Sequence, residues 1–131
     1  MSAKKPARIL VCDDEEGIRE SLELILGKGY RLTFAVDGEE AIAKAGAQAF
    51  DLALVDIKMP RLNGLEVLKW LRQHRPAMPV LMLTAYQSVE MAQEAIALGA
   101  VDYLAKPFEQ AALLESIQRA LASSKHPVAK R

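Results

Sequence analysis

The stretch LALVDIKMPRLNGLEVLKWL, residues 52–71, holds one complete strand–loop–helix unit, and its reading decides the fold. Leu52 to Val55 is a continuous apolar run, the pattern of a strand covered on both faces, so this strand is expected at the centre of a sheet. Asp56 follows it at once. A loop then runs through Met59-Pro60-Arg61, and Asn63 and Glu66 stand at capping-box spacing, which starts a helix. The inward face of that helix is predicted as Leu65, Leu68 and Leu71 with part of Trp70.

The same alternation repeats on both sides of this unit. Upstream, Arg8 to Cys12 reads as a strand, followed by a helix with Ile18, Leu22, Ile25 and Leu26 on one face until Gly27 and Gly29 break it. Tyr30 to Val36 is the second strand. Asp37-Gly38 signals a turn, and the alanine-rich segment to about Ala47 a short helix. Downstream, Pro79 to Leu83 is the fourth strand, and a helix from about Ser88 to Leu98 is expected to pack Val89, Ala92 and Ile96 before Gly99 ends it. Val101 to Ala105 is the fifth strand. The last helix, about Glu109 to Ala122, carries Leu113, Leu114, Ile117 and Leu121 on one stripe. Five strand–helix units with apolar strands and long crossovers predict a parallel sheet with helices on both faces, a doubly wound α/β fold.

Bulk properties agree and narrow the function. The 131 residues suit one domain: an extension at 1–7, the folded body at 8–122 and a small, polar, linker-like tail at 123–131. The 17 basic and 17 acidic residues balance, so no nucleic-acid footprint is expected. Cys12 is the single cysteine, within an apolar run, and is expected to be a buried small hydrophobe. No apolar stretch reaches membrane-spanning length and no secretory leader is evident. A cytoplasmic, reducing compartment is therefore expected.

In an open parallel sheet, chemistry gathers at the carboxyl ends of the strands. Asp13, Asp14, Glu15 and Glu16 follow the first strand, Asp56 the third, Thr84 the fourth and Lys106-Pro107 the fifth. Each has an ordinary explanation when taken singly: a helix cap for Asp13 or Asp14, a turn for Asp56, strand chemistry for Thr84, a solvated lysine for Lys106. Together they form one rim. Three carboxylates there repel unless a cation or protons neutralise them. An all-oxygen donor set suits a hard ion, Mg²⁺ above all. A metal site, an ammonium and a hydroxyl around one carboxylate fit phosphoryl transfer, with Asp56 as nucleophile.

At this point the sequence resembles the response-regulator receiver family of two-component signalling, over about residues 7 to 122. The matching stretches are ILVCDDEE (9–16), LVDIKMPRLNG (54–64), LMLTA (81–85) and GAVDYLAKPF (99–108). The resemblance implies a flavodoxin-like, CheY-like sheet of order 2-1-3-4-5 with five helices. It implies that Asp56 is the phosphoacceptor, that Asp14, Asp56 and the backbone carbonyl of Lys58 hold Mg²⁺, and that Asp13 acts through water. Thr84 and Lys106 would contact the phosphoryl oxygens, and Tyr103 stands where the family keeps a switch aromatic. A cis Lys106-Pro107 bond is implied, and Gly64 matches a family glycine where positive φ would be cheap. Lys58 and Tyr86 occupy variable positions flanking the path of an attacking water and are expected to tune dephosphorylation.

The implied donor is a phosphohistidine on a sensor histidine kinase or phosphotransfer protein, and a homodimer on phosphorylation is one option; the chain is either a stand-alone regulator or an N-terminal domain with an output domain beyond Arg131. The stretch from Leu83 to Phe108 is more similar to regulators that precede a sigma-54-type ATPase module (the NtrC type) than to the winged-helix class. Activity of the chain itself would be limited to Mg²⁺-dependent self-phosphorylation and autodephosphorylation. Two alternatives stand beside this reading. A receiver-like interaction module would need no phosphate. A Mg²⁺-dependent phosphohydrolase with an aspartate nucleophile would want a second acid two residues on, where this chain has Lys58.

Overall fold

A computed structural model describes residues 5–85 and 89–124. The elements run β1 (Arg8–Cys12), α1 (Glu16–Leu26), β2 (Arg31–Ala35), α2 (Gly38–Ala47), β3 (Leu52–Asp56), α3 (Gly64–His74), β4 (Val80–Ala85), α4 (Val89–Ala97), β5 (Asp102–Lys106) and α5 (Gln110–Ser124). The strands form one five-stranded sheet of order β2-β1-β3-β4-β5, every pair parallel. Central β3 is buried along its whole length, whereas edge strand β5 alternates between half-buried and exposed.

Alternate strand residues feed two separate cores, because successive side chains in a strand point to opposite faces. Ile9, Val11, Leu52, Leu54, Leu81 and Leu83 meet Leu22 and Leu26 of α1 and Leu113 and Ile117 of α5. Leu10, Cys12, Ala53, Val55, Val80 and Met82 meet Ala41 and Ala45 of α2, Leu65, Val67, Leu68 and Leu71 of α3, and Ala95 of α4. Cys12 is fully buried, as expected.

Several local expectations need correction. Helix α4 buries Ala92 as expected but not Val89 or Ile96, which are 52% and 41% exposed; Ala95 is buried in their place, and Met91 and Leu98 pack against the core. Small residues let the helix lie close to β4 and β5, and its larger branched residues turn outward. Asp37-Gly38 acts as a helix start rather than a free turn: the Asp37 side chain accepts from the Glu40 N–H, capping α2. The α3 capping box is present and Trp70 packs in part against the core as expected, while also stacking on His74 at 4.1 Å; Val67 joins the buried face in addition. Helix α5 extends to Ser124, and Thr84 and Lys106 lie inside their strands, not after them.

Gly64 is not at positive φ; the left-handed residue of its loop is Arg61, at φ 62°. Glycine is required at 64 for a different reason. A Cβ there would lie 2.2 Å from the Asp56 carbonyl oxygen and 2.7 Å from Ile57 Cα, so the start of α3 presses directly on the end of β3. Gly99, at φ 114°, ends α4 as the sequence predicts. The Lys106-Pro107 bond is cis.

Candidate phosphoryl-transfer site

Strand register sets the geometry of the rim. Cys12 pairs with Val55, so Asp13 and Asp56 leave neighbouring strands side by side. Thr84 pairs with Ala105 and Ala85 with Lys106, which brings the fourth and fifth strand ends to the same edge. Asp13 is held by its backbone: its N–H donates to the Ala35 carbonyl at 3.1 Å, and Arg19 donates to its carbonyl at 2.8 Å. Its Oδ1 accepts from the Glu15 N–H at 2.9 Å, fixing the entry to α1. Asp56 is held by the Ile57 N–H donating to Leu83 O at 2.9 Å and by the Gly64 N–H donating to Ile57 O at 2.8 Å.

These constraints bring Asp13, Asp14 and Asp56 together, with one carboxylate oxygen from each within 4.8 Å of the others. Asp13 and Asp56 are buried and Asp14 is exposed. Lys106 Nζ lies 2.9 Å from Asp13 Oδ2, 3.4 Å from Asp56 Oδ1 and 3.4 Å from Glu15 Oε1. The set opens to solvent through a cleft of about 580 Å³ lined by Asp14, Glu15, Asp56, Lys58, Lys106 and Pro107 among others. Thr84 is buried at the rim, its hydroxyl donating to the Ala85 carbonyl at 3.3 Å.

Electrostatics follow from this crowding. Burial and the neighbouring Asp13 charge push the Asp56 carboxyl up from 3.8 to about 7, against the opposing pull of Lys106. Burial works against the Lys106 ammonium, but the hydrogen bond to Asp13 and the charges of Asp56, Asp13 and Glu15 outweigh it and raise its pKa. Burial pushes the Cys12 thiol far up, so it stays protonated and offers no thiolate. The donor set is therefore all oxygen, and it fits a hard divalent cation such as Mg²⁺ better than a soft or borderline metal.

The remaining predicted residues divide. Lys58 lines the cleft with an exposed side chain and also borders a second, shallower groove. Tyr103 sits on β5 beside Met82, outside the cleft and 36% exposed. Tyr86 lies outside the described residues. Glu15 was not assigned a role from sequence. Within the acidic run 13–16, only the turn into α1 decides which side chains face Lys106, and no spacing rule reports that turn.

The sequence profile of the family described as response regulator receiver domain matches residues 9–118. The chain is 40% identical over 118 residues to the transcriptional regulatory protein ZraR of Salmonella typhimurium, covering 89% of this chain and 27% of that protein. It is similar to the structure of NtrX from Brucella abortus in complex with ADP, with a TM-score of 0.88, 36% identity, 92% of this chain covered and 28% of that one. Against the Vibrio cholerae chemotaxis protein CheY4 the TM-score is 0.83 at 39% identity, over 88% of this chain and 99% of that one. The chain thus spans about a quarter of the length of ZraR and NtrX.

Proposed function

The chain belongs to the response regulator receiver domain family, and from that membership we propose that Asp56 takes a phosphoryl group from the phosphohistidine of a sensor histidine kinase or phosphotransfer protein. The observation that carries this reading is the position of Asp56. It ends the buried central strand, 3.4 Å from the Lys106 ammonium and beside two further carboxylates, at the floor of an open cleft.

In the proposed reaction a carboxylate oxygen of Asp56 attacks phosphorus in line. A P–O bond forms, the P–N bond to the donor imidazole breaks, and its electron pair leaves with that nitrogen. Asp14, Asp56 and the Lys58 carbonyl would hold Mg²⁺, with Asp13 acting through water. The ion supplies charge neutralisation between the carboxylates and the incoming phosphoryl oxygens. Lys106 moves its ammonium onto those oxygens, and the Thr84 hydroxyl donates to them. Positioning and charge carry the catalysis, and the chain's own activity is limited to self-phosphorylation and autodephosphorylation. Lys58 and Tyr86 tune the second of these at the water's entrance; comparing the phosphoryl lifetime with that of Tyr86→Ala tests the assignment of Tyr86.

The readout is a population shift. Thr84 moves toward the phosphoryl group, exposed Tyr103 turns inward, and the surface of α4, β5 and α5 changes to favour a homodimer or an output partner. The receiver body is 8–122, with 1–7 and 123–131 as flanking segments, and an output module lies beyond Arg131. The match covers only 28% of the NtrX chain, which was solved in complex with ADP, and this supports a further, nucleotide-binding module there. Among the described residues no helix is long and apolar enough to cross a membrane.

Incubation with acetyl phosphate and Mg²⁺, followed by intact-mass measurement, tests the proposal. The wild-type chain is expected to gain one phosphoryl group and Asp56→Asn none. A folded wild-type chain that gains nothing, from acetyl phosphate or from phosphorylated kinases, would leave a phosphate-independent interaction module.

A further inference from the structure

Glu15 occupies the N-cap position of α1, yet its side chain makes no capping hydrogen bond. The oxygen that orders the turn belongs to Asp13, which accepts the Glu15 N–H. The Glu15 carboxylate instead reaches across 91 positions of sequence to Lys106 Nζ, at 3.4 Å. Its side chain is 62% exposed, while those of Asp13 and Asp56 are almost wholly covered, so Glu15 is the outermost of three carboxylates that touch one ammonium.

From this arrangement we infer that Glu15 is a positioning residue for phosphoryl transfer: it draws the Lys106 ammonium toward the mouth of the cleft and away from Asp13 and Asp56. The inference rests on the proposed phosphoryl-transfer reading of the site. Two consequences of opposite sign follow from simple charge competition. With Lys106 shared by Glu15, Asp13 and Asp56 are less fully paired and more open to a divalent cation. The same contact holds the ammonium back from an incoming anionic donor, which must win it from Glu15 and approach past that negative charge. A lysine suits this role, because its charge is compact and its stem flexible.

The test is Glu15→Gln, alone and in a Lys106→Ala background, on the full chain. Mg²⁺ affinity is measured by calorimetric titration without any phosphodonor, and the half-saturating concentration of acetyl phosphate is measured at saturating Mg²⁺. In the otherwise wild-type chain, Glu15→Gln is expected to weaken Mg²⁺ binding by about threefold and to lower half-saturation by about threefold, as befits a partly solvated charge a few ångströms away. In the Lys106→Ala background the effect on Mg²⁺ is expected to fall below about half of that, since the residue through which Glu15 acts is gone. Unchanged Mg²⁺ affinity in Glu15→Gln overturns the inference. So does an equal effect with and without Lys106, which would reduce Glu15 to a general negative field, or a loss of both affinities together, the mark of simple structural damage. A wild-type chain that binds Mg²⁺ but takes no phosphoryl group on Asp56 sinks the underlying reading instead, and the two failures are told apart by the wild-type mass alone.

Discussion

Asp56 is a charged group held where charge is costly. Its carboxyl, normally near 3.8, is pushed up to about 7 by burial and by Asp13. Between about pH 4 and 7 the folded chain keeps a proton on Asp56 that the unfolded chain has already released, so stability falls as pH rises through that window. Asn resembles the protonated carboxyl and does not titrate. In chelator, Asp56→Asn is therefore expected to match the wild type below pH 4 and to exceed its stability by about 4 kcal/mol above pH 7. Urea unfolding across that pH range checks this; a pH-independent difference would remove the burial explanation. Asp13, Asp14, Asp56 and Lys106 were legible as a group because each stands at or beside the end of a strand. Glu15 was not, since side-chain direction within a four-residue acidic run depends on the turn that follows it.

At the scale of elements, the junction of β3 and α3 joins chemistry to architecture. Asn63 and Glu66 cap the helix reciprocally, and Gly64 lets its first turn rest on the backbone of Asp56 and Ile57. Asn63→Ala is expected to cost about 1 kcal/mol, with Mg²⁺ affinity kept. Gly64→Ala forces a Cβ against backbone that no rotamer change can relieve, and is expected to cost about 3 kcal/mol and to weaken Mg²⁺ binding as Asp56 shifts. Denaturation and calorimetric titration of both variants separate a lost cap from a displaced carboxylate. The capping box was readable from spacing alone. The reason for Gly64 was not, because close approach of two backbones is a tertiary fact, and a family glycine suggests positive φ just as readily. Helix α4 shows the same limit: hydrophobicity favoured Val89 and Ile96 as core, but the residues fully buried are the alanines at 92 and 95.

For the whole molecule, strand order was implied by the family resemblance, and parallel pairing by the alternation of apolar runs with helices. Which residues line the reaction cleft then follows from register. A Mg²⁺ ion held by Asp14 and Asp56 would bind only the assembled rim, so Mg²⁺ is expected to stabilise the wild-type fold by about 2.7 kcal/mol at a hundredfold excess over Kd. Thermal melts with and without chelator check this, and Asp14→Ala is expected to lose most of the gain. The two charged partners of the site also sit on unlike supports. Asp56 ends β3, which is buried and flanked by strands on both sides, whereas Lys106 terminates β5, whose outer edge has no strand neighbour among the described residues. The carboxylate thus stands on an inner, buried strand and the ammonium on an outer, partly exposed one. On the proposed reading, a phosphoryl group at Asp56 would meet the inner, buried support, and its effect would fall on the outer margin of the sheet, where a second protein could feel it.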